Sequence, residues 1–316
     1  MAVDPPNITV VGSFVVGLTI GVPRMPVLGE GLIGDKFDMG PGGKGTNQAI
    51  AAARLGARVS LLACIGDDLF AAVADEVFAK EGIDREHIQA IAGVNTAVGF
   101  VHLLPSGENW IVGHLGANLH MRTEHVEAAE DLIAQSDIVL TQFEVRPEVV
   151  LRALELGRKH GAMTIWNPAP AQAVGPEFLE LVDVLTPNET ELRILLGLSP
   201  SDPTPNEELA QRLMGLGVRQ LVVTLGGKGA MIATADGVEN IAAVPGIVAV
   251  DVTGAGDSFN AALAVGLGEG LELGAAVVRA CCAGAYAVQY MGVVDGLPTR
   301  DELAGFIETA DYGETI

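Results

Sequence analysis

The segment Asp251-Val252-Thr253-Gly254-Ala255-Gly256-Asp257-Ser258-Phe259 runs into an apolar helical pattern over residues 260–267. Small residues at 254–256 let backbone N–H groups converge where a helix begins. The unpaired donors and the helix dipole there favour an anion. Gly254, Ala255 and Gly256 thus form a candidate anion hole, and Asp257 falls in the first turn beside it. From that position a carboxylate can take a proton from a hydroxyl that attacks a phosphoryl group held by the amides. A plain helix cap is the alternative, and residue types alone leave both readings open.

Two of the five lysines, Lys44 and Lys228, sit in glycine-rich turns: Gly40-Pro41-Gly42-Gly43-Lys44-Gly45-Thr46-Asn47-Gln48-Ala49 and Gly226-Gly227-Lys228-Gly229. Neither turn is a P-loop, because Gly follows each Gly-Lys where Ser or Thr would meet magnesium. Gly43 allows close approach of a ligand to the backbone, while Lys44 and the Asn47 amide can hydrogen-bond hydroxyls. In Thr186-Pro187-Asn188-Glu189-Thr190-Glu191, Asn188 and Glu191 lie one helical turn apart on one face. An amide and a carboxylate so placed suit a hydrated Mg2+ carrying phosphates. An ordinary helix start with an acidic first turn is the competing reading. Gln142-Phe143-Glu144 closes a strand pattern and adds a carboxylate at the predicted ligand edge.

The elements that must position these groups are short apolar runs at residues 8–11, 59–64, 137–142, 163–166, 182–185 and 220–225, which read as buried strands. Helical patterns fall between them, at 44–55, 69–81, 124–134, 147–159, 189–196 and 207–214. Such alternation predicts an α/β fold, a doubly wound, mostly parallel sheet with helices on both faces and a ligand at the carboxyl edge of its strands. Segments 14–40 and 95–116 break the pattern and read as a small antiparallel β lid that excludes water from that edge, or else as a hairpin insertion. The expectation is one domain spanning 1–316 with this lid.

Composition excludes several classes of protein. With 49% hydrophobic residues the 316-residue chain is no disordered polymer, and its apolar residues are scattered along the chain and not gathered into one bilayer-spanning apolar run. No basic n-region precedes the first apolar run, so the expected location is cytoplasmic, with no membrane partner. A net charge of −22 disfavours nucleic acid. Three cysteines without paired spacing read as buried apolar thiols.

Taken together, the quoted segments resemble the ribokinase branch of the PfkB carbohydrate-kinase family from about residue 8 to about residue 307. The glycine-rich turn at 42–49, with Gly56 and Gly66, is similar to that family's first signature, and Asp251–Ala264 to its second. Gly116-Ala117-Asn118, Asn167-Pro168-Ala169-Pro170-Ala171, Asn188–Glu191 and Thr224-Leu225-Gly226 follow in the family's order. The resemblance implies transfer of the ATP γ-phosphoryl to a sugar or polyol hydroxyl, with Asp257 as base and the 254–256 amides as anion hole. It further implies that Glu191 and Asn188 organise Mg2+, that Thr224, Gly226 and Gly229 form the nucleotide turn, and that Gly43, Lys44, Asn47 and Glu144 hold the sugar. A K+ ion beside Asp251, Thr253, Ala287 and Gly292, and a homodimer joined through lid strands, are implied as well.

One departure bears on the substrate. Where the family reads Gly-Ser-Ile-Asn-x-Asp, with the Asp gripping two sugar hydroxyls, this chain reads Gly12-Ser13-Phe14-Val15-Val16-Gly17. Two lost hydrogen bonds to a charged group correspond to roughly two to four powers of ten in affinity for ribose. Tyr290 and Gly296 likewise replace the Arg and Ser usual near the K+ loop. A nucleoside kinase of the same superfamily and a catalytically weak sugar sensor are the alternative functions.

Overall fold

A computed structural model describes residues 4–106 and 108–310. Its main sheet has nine strands: β1 (Asn7–Val11), β4 (Arg58–Gly66), β5 (Ile88–Ile91), β8 (Ile138–Thr141), β9 (Met163–Trp166), β10 (Val184–Leu185), β11 (Gln220–Thr224), β12 (Ala230–Thr234) and β13 (Gly237–Ile241). The order is β13-β12-β11-β10-β9-β8-β1-β4-β5. All pairs from β5 to β11 are parallel, and β12 and β13 complete the edge as antiparallel neighbours. The sequence pattern missed β5, β12 and β13.

Strands buried on both faces read as continuous apolar runs, and their side chains then alternate between two cores. Ile8 and Val10, Leu61 and Ala63, and Ile138 and Leu140 enter one core, while Val11, Leu62 and Val139 enter the other. Helices α1 (Lys44–Arg54) and α2 (Ala71–Glu81) cover the first face. The second face takes α3 (Thr123–Ala128), α4 (Glu130–Ile133), α5 (Pro147–His160), α6 (Pro176–Leu179), α7 (Glu189–Leu195) and α8 (Asn206–Gly215). The chain then returns to the first face with α9 (Ala255–Gly268), α10 (Leu273–Ala287), α11 (Val293–Gly296) and α12 (Arg300–Thr309). The single helix expected over 124–134 divides at Ala129, whose N–H donates to Val126 O at 3.1 Å, a tightened i→i−3 turn.

The two segments that broke the alternation form a separate sheet from β2 (Val15–Gly21), β3 (Lys36–Gly42), β6 (Ala97–Leu103) and β7 (Asn109–His114), ordered β3-β2-β6-β7. Its outer pairs are antiparallel and its central pair, β2 with β6, is parallel. No helix among the described residues is long and apolar enough to cross a membrane. All three cysteines are buried, and burial pushes the Cys64 and Cys282 thiols up to about 12, which leaves them protonated and inert.

Candidate active site

Helix α9 begins after Gly254, which adopts a left-handed conformation (φ 81°) that only glycine takes without strain. A Cβ there would also strike Val293. Asp257, 5% exposed, does not cap its own helix. Its carboxylate instead accepts from two amides of α1, Asn47 Nδ2 at 2.8 Å and Gln48 Nε2 at 3.0 Å. The backbone amides of Gly254, Gly256 and Asp257 donate to no acceptor among the described residues, whereas the Ala255 N–H, expected in the anion hole, turns back to Val252 O at 3.4 Å. The result is a fixed carboxylate beside free N–H donors at a helix N-terminus, and the cap reading falls away.

A cavity of about 690 Å³ opens beside these amides. Ala255, Gly256 and Phe259 line one side and Thr224, Gly226 and Gly229 the other, with the apolar segment 243–249 as a wall. The structure therefore brings the two predicted nucleotide-binding segments to one space. Gly226 and Gly229 both have positive φ, and a Cβ on Gly229 would collide with the Ile241 carbonyl. Asn188 joins the same rim through a bridge to Thr224, whose N–H donates to Pro187 O at 3.0 Å.

On the other side of Asp257 lies the start of α1. Gly45 packs so closely on the β1–β2 turn that a Cβ would stand 2.7 Å from Gly12 C and closer still to Ser13 N. Glu144 Oε2 accepts from Ser13 Oγ at 2.5 Å and from the Lys44 N–H at 2.7 Å, locking the Gly43-Lys44 turn to the end of β8. Asn118 pins the start of the four-stranded sheet by accepting from Phe14 N at 3.2 Å and donating to Phe14 O at 2.9 Å. Asn47 Oδ1 is buried without a partner among the described residues, an open acceptor on the side chain that holds Asp257.

Burial by itself would lower the Lys44 amine, but the carboxylates of Asp257, Glu144 and Glu191 outweigh it and hold the amine above its usual range. Burial raises Glu191, and its hydrogen bond from the Asn188 N–H and the Lys44 charge offset this only in part. Glu191 and Asn188 also form a reciprocal capping box at α7: Asn188 Oδ1 accepts from Thr190 N and Glu191 N, and Glu191 Oε2 accepts from Asn188 N at 2.8 Å. Both residues thus serve the helix start, and Glu191 Oε1 is the oxygen left over. No cluster of three His, Cys, Asp or Glu that could by itself hold a metal occurs among the described residues.

Asp251 bridges the two loops expected to flank K+, accepting from Thr253 N at 2.9 Å and from Gly292 N at 3.1 Å. Ala287 lies in the last turn of α10, where a Cβ on Gly296 would crowd its carbonyl at 2.8 Å.

Sequence reasoning assigned no role to the polar ring that holds Asp257. Gln48 Nε2 also reaches Asn167 Oδ1 (3.2 Å), Asn167 Nδ2 donates to Thr186 O (2.9 Å), Thr186 Oγ1 to Asn260 Oδ1 (2.5 Å), and Asn260 Nδ2 returns to Gly256 O (2.8 Å). Gln142 Nε2 donates to Gln48 Oε1 at 2.6 Å. The signal was an amide inside an apolar helical run, as at Gln48 and Asn260, which a buried core admits only when it is hydrogen-bonded.

A doubly wound sheet whose carboxyl edge carries a helix N-terminus, an open cavity and a buried carboxylate defines a phosphotransferase-like site on an α/β scaffold. The model of the pfkB family carbohydrate kinases matches residues 6–300. A ribokinase of Haemophilus influenzae is 38% identical over 304 residues, covering 96% of this chain and 99% of its own, and a deoxyribokinase of Salmonella typhi is 32% identical over 302 residues, covering 95% and 98%. The structure of Arabidopsis thaliana ribokinase complexed with ribose and ATP superimposes with a TM-score of 0.88 at 26% identity, covering 96% of this chain and 99% of that one. The chain belongs to the pfkB family of carbohydrate kinases.

Proposed function

We propose that this chain transfers the γ-phosphoryl group of ATP to a hydroxyl of a sugar, with Asp257 as general base. The observation that carries the reading is the Asp257 carboxylate, fixed by Asn47 and Gln48 beside the free amides of α9, where Ala255 and Gly256 line the large cavity. The nucleotide occupies the cavity, with its base against the apolar 243–249 wall and its phosphates directed to the free amides of Gly254, Gly256 and Asp257. The sugar occupies a groove over the start of α1, the Lys44 groove, where Asn47 Oδ1 and the free oxygen of Glu144 accept from its hydroxyls, Lys44 donates, and Gly43 leaves room.

Asp257 removes the proton from the attacking hydroxyl as the amides stabilise the charge that develops on the phosphoryl oxygens. Mg2+, which would neutralise phosphate charge when bound, fits a rim supplying the free carboxylate oxygen of Glu191, which Asn188 holds in place through the capping box, because Mg2+ keeps most of its waters and phosphate ligands. K+ fits the loop pair joined by Asp251, with Thr253, Ala287 and Gly292 beside it. The four-stranded sheet acts as the lid that keeps water from the transferred group.

A homodimer belongs to the same reading. Phe37, Met39, Phe100, Trp110 and Val112 share one face of the lid sheet by register and are each at least 47% exposed. An apolar face of this kind is an interaction surface, and a second copy supplies its match.

The testing experiment is acceptor-dependent ADP release with ATP, Mg2+ and K+ against pentoses, hexoses, polyols and nucleosides, with acceptor-free controls and with Na+ in place of K+. A turnover with kcat/KM of about 10⁴ M⁻¹s⁻¹ or more supports the kinase. ATP binding without ADP release on any acceptor overturns it in favour of a binding protein.

A further inference from the structure

The lid sheet carries glycines on all four strands, and strand pairing brings one from each into a single row. Gly40 of β3 opposes Gly17 of β2, Gly17 opposes Gly99 of β6, and Gly99 opposes Gly113 of β7. Cross-strand partners project to the same face, so the row leaves a furrow without side chains across the whole sheet. With neighbouring strands about 4.8 Å apart, the furrow is roughly 14 Å long. Its face is the one that looks onto the Lys44 groove: Val15, two residues before Gly17 and therefore on the same face, has a methyl 3.0 Å from where a Cβ on Gly43 would stand.

The backbone does not require these glycines. None of the four has a positive φ. A Cβ would meet nothing nearer than 3.6 Å at Gly17 or 3.8 Å at Gly99 and Gly113, and nothing within 4 Å at Gly40. Each weakens its strand, which side chains of almost any kind would strengthen, so conformation and crowding both fail to explain the row. Glycine inside a strand otherwise marks a bulge, a bend or close approach of a ligand or another backbone; the register here is unbroken and no backbone beyond the paired strands comes near, and approach of a ligand fits the row.

We propose that the acceptor is a sugar carrying a planar substituent of nucleobase size, which lies flat along the furrow while the reacting hydroxyl faces Asp257. The inference rests on the kinase reading above. Val15 and Ala97 flank the furrow on the groove side and Thr19, Val101 and Ile111 on the far side, so its walls are mainly apolar and suit an aromatic ring. Asp38 at the outer end provides an acceptor for a polar group on the ring's edge. Gly17 offers no side chain to the hydroxyls of a free pentose, which would leave the furrow occupied only by water.

The test measures kcat/KM for adenosine, inosine, uridine, ribose and 2-deoxyribose with the unmodified protein and with Gly17→Val and Gly99→Val, whose β-branched side chains suit a strand. The expected result is at least about tenfold preference for one nucleoside over both free pentoses, and a fall of about tenfold or more in that ratio in each variant. Melting temperatures at or above that of the unmodified protein show that the variants fold. A free pentose preferred over every nucleoside, or variants that lower all acceptors alike, overturns this proposal and leaves the kinase standing. ATP binding with no acceptor-dependent ADP release on any acceptor overturns both.

Discussion

At the scale of single residues, the site is a set of charges that only make sense together. Asp257 takes both of its hydrogen bonds from α1, so replacing it tests chemistry more than helix capping. Asp257→Asn is expected to lower kcat by about 10²–10⁴-fold while ATP still raises the melting temperature. Unchanged turnover would remove Asp257 from the role of base. Lys44 balances three carboxylates, and its amine is held above the ordinary value of 10.5. A raised amine contributes stability below its unfolded pKa and loses that contribution as pH rises through the folded one. Lys44→Met should therefore melt below the unmodified protein at pH 7, and the gap should narrow above pH 10.5. Melts across pH check the sign.

Secondary-structure elements act here mainly through their ends. The N-terminus of α1 docks on the β1–β2 turn with no space for a side chain at Gly45, and this contact sets the distance from Lys44 and Asn47 to Asp257. Gly45→Ala forces the backbones of Gly12 and Ser13 apart. It should cost about 1–3 kcal/mol of stability and reduce acceptor-dependent turnover together with it, as denaturant titration and initial rates will show. These ends were partly legible in the sequence. The glycine-rich turns and the Asn188–Glu191 helix start stood out by residue type, and most central strands stood out as apolar runs. The antiparallel strands β12 and β13 were not legible. β13 is largely exposed, and its short mixed run Gly237–Ile241 becomes a strand because it pairs with β12.

The whole molecule adds charge to the balance. Each chain carries −22, so the dimer proposed through the apolar lid face would form against long-range repulsion. Raising salt from about 0.05 to 0.5 M should tighten that dimer by screening. Phe100→Asp should leave a monomer at both salt concentrations, by sedimentation equilibrium. A monomeric unmodified protein at every salt would return the exposed face to some other partner.

The sequence by itself determined the alternation of strands and helices, the positions of the glycine-rich turns and the carboxylate placed after the small residues 254–256, because these are properties of neighbouring residues. Only the tertiary structure decided that Asp257 is a carboxylate held by α1 and not a helix cap, since its two donors lie 210 and 209 residues away in the chain. It alone placed Gly40, Gly17, Gly99 and Gly113 in one row. Register across strands is fixed by pairing between distant segments, and no local pattern encodes which residue will stand opposite which.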